Sequence, residues 1–297
     1  IGVNVGVAVF PQDGAGADAL LSNAEAALRQ AKARGEPYLF YEAAMNARVA
    51  EKLSLEGRLR RALDKDQFVL HYQPKIELAT GETAGYEALI RWNDPSGGLV
   101  QPAQIIPLLL QTGLILDVGR WAICKAPQDW HARARNGVAV PRVAVNVSAM
   151  QLRRSDFIDV VAKALEAAGG APHGIDLEVT ESLLMEDIEA NAVKLQALKE
   201  MGVGIAIDDF GTGYSSLSYL AKLPVDALKI DRMFITTLAV EQQSMTIVST
   251  IISLAHTLRM IVVAEGVETS DQAKTLHLLR CEEVQGYYYA RPLPWAE

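Results

Sequence analysis

The run VGIAIDDFGTGYSS, residues 203–216, reads as an apolar strand ending in two adjacent carboxylates, Asp208 and Asp209, ahead of a glycine-rich turn. Neighbouring carboxylates repel one another, and neither is tolerated near a core without a counter-charge. Other strand-like runs also end in groups that coordinate or ionise. These are Glu87 in GYEALIRW, Asn146 in VAVNVS, Glu178 and Glu181 in DLEVTES, and Lys229 and Asp231 in ALKIDRMF. Glu265 and Glu268 follow in IVVAEGVET, and Gln285 in EVQGYYYARPL. One such residue after a strand is ordinarily a helix cap or a turn former. Capping does not account for Glu87, Asn146, Glu178, Asp208, Asp209 and Glu265 arriving together at the same ends of successive strands. All six offer oxygen, and an all-oxygen set selects hard cations, Mg2+ or Mn2+. In an adjacent Asp pair, one carboxylate can bridge two ions while its neighbour binds one. Two such ions activate water and stabilise both oxygens of a phosphoryl displacement. The expectation is therefore a pair of divalent cations.

Such a site needs strands whose ends converge. From Phe68 onward eight short apolar runs follow, over 68–78, 84–90, 142–147, 175–180, 203–208, 225–230, 260–265 and 282–286. The turn ATGETAG joins the first two as an antiparallel hairpin. The later runs alternate with helical patterns such as FIDVVAKALEAAGG, DIEANAVKLQALKEMG and MTIVSTIISLAHTLRM. Strand–helix alternation of this length predicts an α/β fold: an irregular (β/α)8 barrel with an antiparallel first hairpin. An open doubly wound sheet is the competing architecture, but no GxGxxG opens a helix at a first crossover. Residues 1–40 read as a small separate α/β unit, with IGVNVGVAVF as a strand and DALLSNAEAALRQAKARG as a helix stopped at Gly35. Residues 41–65 read as a polar helical linker, and 66–297 as the barrel. The chain opens inside a strand-like pattern, which suggests upstream sequence.

The 297 residues are half hydrophobic, with a formal net charge of −8. That balance argues against a surface built to neutralise duplex nucleic acid, while a small anion held through metal ions remains compatible with it. Two distant cysteines, Cys124 and Cys281, and five histidines without ligand spacing argue against a disulfide framework or a thiolate zinc site. A reducing cytoplasm is the expected compartment. The most apolar stretch, IIPLLLQTGLILDVG, is broken by Pro107, Gln111, Thr112, Gly113 and Asp117, so no membrane segment is expected in this fragment.

Taken in order, YEALIRW, NVS, LEVTES, IDDFGTGYSSL, LKIDRMFI, VAEGVET and QGYYYARPL resemble an EAL-domain cyclic di-GMP phosphodiesterase, from about Phe68 to Pro294. Residues 1–40 are similar to the last part of a GGDEF domain, without its signature loop. The resemblance implies hydrolysis of cyclic di-GMP to linear pGpG, lowering a bacterial second messenger. The alternative is a non-catalytic cyclic di-GMP receptor. It implies a first metal on Glu87, Asn146, Glu178 and Asp208, with Asp208 bridging to a second that Asp209 also binds and Glu265 close by. Lys229 would orient the attacking water, Glu265 would be the general base, and Gln285 would be a polar contact at the metal-water cluster. Glu181 would anchor the loop after Asp209, through its backbone or hydroxyls such as Thr212 or Ser215. Arg91 would contact a substrate phosphate, while Gln73, Asp231 and Glu268 would contact phosphate or guanine. The resemblance also implies a homodimer and upstream sensory or GGDEF regions. One stretch departs from the family: Leu109, Leu110 and Gln111 stand where relatives often have Ala-Glu-Glu. Altered packing or partner contacts on a helix is the expected consequence.

Overall fold

The computed structural model describes residues 3–135, 140–169, 174–211, 220–238 and 241–295. Contacts divide the chain into two units, Ile1–Lys65 and Asp66–Glu297. In the first, β1 (Val5–Val7) pairs in parallel with β2 (Tyr38–Phe40), and α1 (Ala17–Arg34) connects them. Gly35 ends α1 in the left-handed region at φ 67°, its amide bonding the carbonyls of Ala31 and Lys32. The β1 strand is much shorter than the run IGVNVGVAVF suggests. The polar helix α2 (Ala43–Ala62) groups with this unit.

The second unit opens with the antiparallel pair β3 (Phe68–Glu77) and β4 (Thr83–Asp94), extended by the short β5 (Gly98–Val100). Helices α3 (Pro102–Thr112) and α4 (Ile115–Ala134) lead to β6 (Arg142–Val147), α5 (Ala149–Leu152) and α6 (Phe157–Ala167). Then come β7 (Ile175–Thr180), α7 (Glu181–Glu186), α8 (Ile188–Glu200) and β8 (Gly204–Phe210). The described elements end with β9 (Ala227–Ile230), α9 (Arg232–Thr236), α10 (Gln242–Thr257), β10 (Ile261–Glu265), α11 (Ser270–Leu278) and β11 (Glu283–Gln285). Strands pair in the order β3-β11-β10-β9-β8-β7-β6-β4, and the β3–β4 pairing closes the ring. This is the eight-stranded barrel expected from the sequence. Six junctions are parallel, and β3 alone runs against both neighbours.

Strand alternation sorts side chains to two faces. Val143, Val145, Leu177, Val179, Ile205, Ile207, Leu228, Ile230, Val262 and Val284 belong to the main hydrophobic cluster, which also takes in residues of α4, α6, α8 and α10. The alternate positions hold the buried polar groups: Gln73 and Lys75 on β3, Glu87 on β4, Glu178 on β7, Asp208 on β8, Lys229 on β9 and Gln285 on β11. The apolar core thus lies between strands and helices, and the barrel interior is polar.

The apolar stretch 105–119 divides at Gly113, φ 76°, between α3 and α4. Among the described residues no helix is long and apolar enough to cross a membrane. Residues 109–111 lie on α3, as expected of a helix, with Leu109 buried and Leu110 and Gln111 exposed.

Candidate metal centre

The centre is organised around one lysine. Lys229, on β9, is 1% exposed. Its Nζ lies 2.6 Å from Glu178 Oε2, 2.5 Å from Glu265 Oε1, 3.1 Å from Asp208 Oδ1 and 3.7 Å from Glu87 Oε2. A second group of contacts fixes Glu87. Asn146 Nδ2 donates to its Oε1 at 2.6 Å, and Gln285 Nε2 donates to its Oε2 at 2.6 Å. Gln285 Nε2 also reaches Gln73 Oε1 at 3.0 Å, and Gln73 Nε2 donates to the carbonyl of Ala290. With both amide ends engaged, Gln73 braces Gln285 and Glu87.

Asp208 and Asp209 are brought together by a break in the strand. Adjacent strand residues point to opposite faces, so a regular β8 would turn Asp209 away from Asp208. Between Ile207 and Phe210 the register with β9 shifts, and Asp209 takes φ 54°. That backbone is costly for a residue other than glycine, and asparagine and aspartate tolerate it best. The bulge re-aims the side chain, and carboxylate oxygens of Asp208, Asp209 and Glu265 lie within 4.8 Å of one another.

Charge in the centre is unbalanced. Burial pushes the Glu178 carboxyl up to about 8, in spite of Lys229 beside it. Burial likewise raises Glu265 to about 7 and Asp209 to about 6, with Asp208 adding repulsion at both. Burial acts the same way on Glu87, but the Lys229 charge and the hydrogen bonds from Gln285 and Asn146 outweigh it and leave Glu87 below the ordinary value. Burial disfavours the charged form of Lys229, yet Glu178, Glu265, Glu87 and Asp208 together hold it well above the ordinary lysine range. Glu178 Oε1 and Asp208 Oδ1 are buried without a hydrogen bond; the 3.1 Å approach of Lys229 to the latter is a charge contact outside bonding geometry. Orphaned, mutually repelling carboxylate oxygens beside an amide are the donor set that hard divalent cations require. The residues present fit a metal pair.

Glu181 opens α7, is 2% exposed, and its Oε2 accepts a 2.8 Å hydrogen bond from the Gly211 amide. It therefore braces the chain two residues beyond Asp209; Thr212 and Ser215 lie outside the described residues. Exchanging Glu181 for Gln weakens this charge-assisted bond. Turnover is expected to fall ~10–100-fold with a higher Mg2+ requirement, the usual effect of removing a group that orients a ligand. The check is a Mg2+ titration of turnover beside thermal unfolding. An unaltered Mg2+ dependence together with an unaltered kcat would reduce Glu181 to a helix-end residue.

The remaining candidates lie around this core. Asp231 caps α9 by accepting from Met233 N at 2.7 Å, and it hydrogen-bonds Asp209. Glu268 is exposed and pairs with Arg232 at 2.8 Å, away from the Lys229 cluster. Arg91 is 5% exposed, donates to the Ile90 carbonyl, and has its guanidinium pKa lowered by burial, with Tyr287 and Glu87 acting the other way. Lys75, buried below Glu178, carries no sequence signal beyond its two-residue spacing from Gln73, which sets both on the inward face.

The EAL domain profile matches residues 56–292. The chain belongs to the EAL domain family. It is 45% identical over 295 residues to the bifunctional diguanylate cyclase/cyclic di-GMP phosphodiesterase MucR of Pseudomonas aeruginosa, covering 99% of this chain and 43% of that protein. It is also 45% identical over 294 residues to the cyclic di-GMP phosphodiesterase NbdA of the same organism, covering 99% of this chain and 38% of that protein. A solved structure of the PaMucR phosphodiesterase in complex with c-di-GMP superposes with a TM-score of 0.80 at 46% identity, over 82% of this chain and 98% of that one. The EAL chain thus spans roughly two-fifths of the length of these curated relatives.

Proposed function

We propose that this chain hydrolyses cyclic di-GMP to linear pGpG with two divalent cations, Mg2+ or Mn2+. The observation that carries the reading is the convergence of Asp208, Asp209 and Glu265 beside Glu87 and Glu178 at one end of the barrel. Similarity to MucR and NbdA, whose names state this activity, supports it. Glu87, Asn146, Glu178 and Asp208 would hold one cation, and Asp208, Asp209 and Glu265 the other. When bound, the pair supplies Lewis-acid stabilisation of the phosphoryl oxygens and a more acidic water. Lys229 holds the attacking water in line with the scissile phosphorus–oxygen bond and offsets negative charge as it develops. Glu265, 2.5 Å from Lys229 in the same cluster, accepts the proton of that water. As the phosphorus–oxygen bond breaks, the departing ribose oxygen takes a proton from solvent and becomes the free hydroxyl of pGpG. Gln285 and Gln73 keep Glu87 aimed at the mouth, and Arg91 receives a phosphate oxygen. Asp231 and Glu268 contact phosphate or guanine at the rim.

The testing experiment is turnover of cyclic di-GMP with each cation in turn. Activity is expected in Mg2+ and Mn2+ and inhibition in Ca2+, whose larger, looser coordination does not hold a compact catalytic pair. Equal turnover in Ca2+ sinks the two-metal assignment, and tight binding without turnover establishes a receptor instead.

The proposal extends to the rest of the chain. Residues 1–40, a parallel β–α–β unit, are the end of a GGDEF domain, and 41–65 are the linker before the barrel at 66–297. Upstream sensory or GGDEF regions precede it in the intact protein, the barrel works in the cytoplasm, and it dimerises. Sedimentation velocity showing a monomer at micromolar concentration removes the dimer.

A further inference from the structure

At the amino ends of the parallel strands lies a cavity of about 350 Å³, bounded by Lys75, Gly85, Arg142, Asp176, Gly204 and Glu283 among others. Most of its charges are paired locally: Arg142 Nε donates to Asp176 Oδ1 at 2.5 Å, and Lys199 pairs with Asp226. Lys75 differs. Its side chain is 8% exposed, and among the described residues its ion pair runs upward, 3.8 Å from Nζ to Glu178 Oε1, with its charge also acting on Glu283 in the cavity. Glu178 Oε1 has no hydrogen-bond donor.

Three features of the chain place the lysine there. The reversed direction of β3 and its two-residue spacing from Gln73 turn Lys75 inward, with an irregular register between Lys75 and Ile76. Its partner across the β3–β4 ladder is Gly85. A Cβ on Gly85 would stand 2.8 Å from Lys75 Cε and 3.5 Å from Nζ, so the glycine makes the room the lysine arm occupies.

We propose that Lys75 is a positioning residue for Glu178. From below, its ammonium lies 3.8 Å from Oε1 while Lys229 holds Oε2 at 2.6 Å, so the two lysines fix the rotation of that carboxylate between them. The inference rests on the metal-centre reading above. A cation beneath the site also repels a dication, so the two effects have opposite sign and the sign is measurable. A carboxylate free to rotate is a poorer ligand, and loss of an orienting partner typically weakens metal binding ~10–100-fold.

The experiment is calorimetric titration of Mn2+ into the full chain, with kcat and KM for cyclic di-GMP measured alongside. Four proteins are compared: wild type, Lys75→Met, Gly85→Ala and the double variant. Lys75→Met keeps the bulk of the arm and is expected to raise the Mn2+ dissociation constant ~10-fold and lower kcat, with KM moving by less than ~2-fold. Gly85→Ala retains the charge but displaces the arm, so it should shift Mn2+ binding in the same direction by less. The double variant should bind about as Lys75→Met does, because the larger part of the Gly85→Ala effect runs through the lysine arm; a further loss would read the 3.3 Å contact of the new Cβ with the Arg142 carbonyl. Unchanged or tighter Mn2+ binding by Lys75→Met overturns the proposal. If that variant does not fold, Gly85→Ala with wild-type Mn2+ affinity overturns it. Wild-type protein that binds no Mn2+ removes the metal centre and this inference together. Wild-type binding with unaltered variants removes only the role of Lys75.

Discussion

Replacing Lys229 with Met is expected to destabilise the metal-free protein by about 3–5 kcal/mol, the usual cost of removing one partner from a buried ionic group. Four carboxylates lie 2.5–3.7 Å from its Nζ, and Glu178 among them has a fully buried side chain. Without the ammonium those charges face one another in a site of low dielectric, so they must protonate or the barrel must open. For a unit of this size the thermal midpoint should fall on the order of 10 °C in EDTA. Divalent cations replace the missing positive charge, so Mg2+ should raise the midpoint more in the variant than in wild type. Turnover in saturating Mg2+ should remain down by ~100–1,000-fold, because stabilisation of developing charge is absent. The measurement is thermal unfolding in EDTA and in Mg2+, with kcat. A variant with a wild-type midpoint in EDTA and wild-type kcat would show that Lys229 is neither the hub of the cluster nor part of the reaction.

Asp208→Asn should do the opposite to the metal-free protein and more to the reaction. Asp208 adds repulsion at Glu178, Asp209 and Glu265, so neutralising it relieves strain between like charges. The midpoint in EDTA should therefore hold or rise. The same substitution removes the carboxylate assigned to bridge both cations, and an amide oxygen is a weaker donor for a hard ion. Mg2+ should then give little thermal stabilisation. Turnover should drop by at least ~1,000-fold, beyond the ~10–100-fold of residues that only orient a ligand. Metal-induced stabilisation of wild-type size in Asp208→Asn would place the bridge elsewhere. The pair of substitutions separates charge balance from ligation: one lowers the metal-free midpoint and the other does not, yet both stop turnover.

The sequence by itself determined the eight strands, the helices between them and the end of the barrel where oxygen donors gather. The reason is local: apolar runs with polar residues at alternate positions encode both strand and facing without reference to distant contacts. Glu87, Glu178, Asp208 and Lys229 were legible because each lies on an apolar strand where a charged group needs a partner. Tertiary structure alone decided the rest. Regular alternation points Asp209 away from Asp208, and only the bulge against β9 with φ 54° brings both carboxylates to one place. The hydrogen-bonded line from Ala290 through Gln73 and Gln285 to Glu87 joins β3, β11 and β4, which are neighbours only once the ring closes. Glu268, alike in sequence to the donors around it, is committed to Arg232 at the rim. Lys75 reads as an ordinary strand lysine until the reversed β3 and the bare Cα of Gly85 carry its arm under Glu178. In each case the deciding partner lies on another element of the fold, and a residue's own neighbours in sequence contain no record of it.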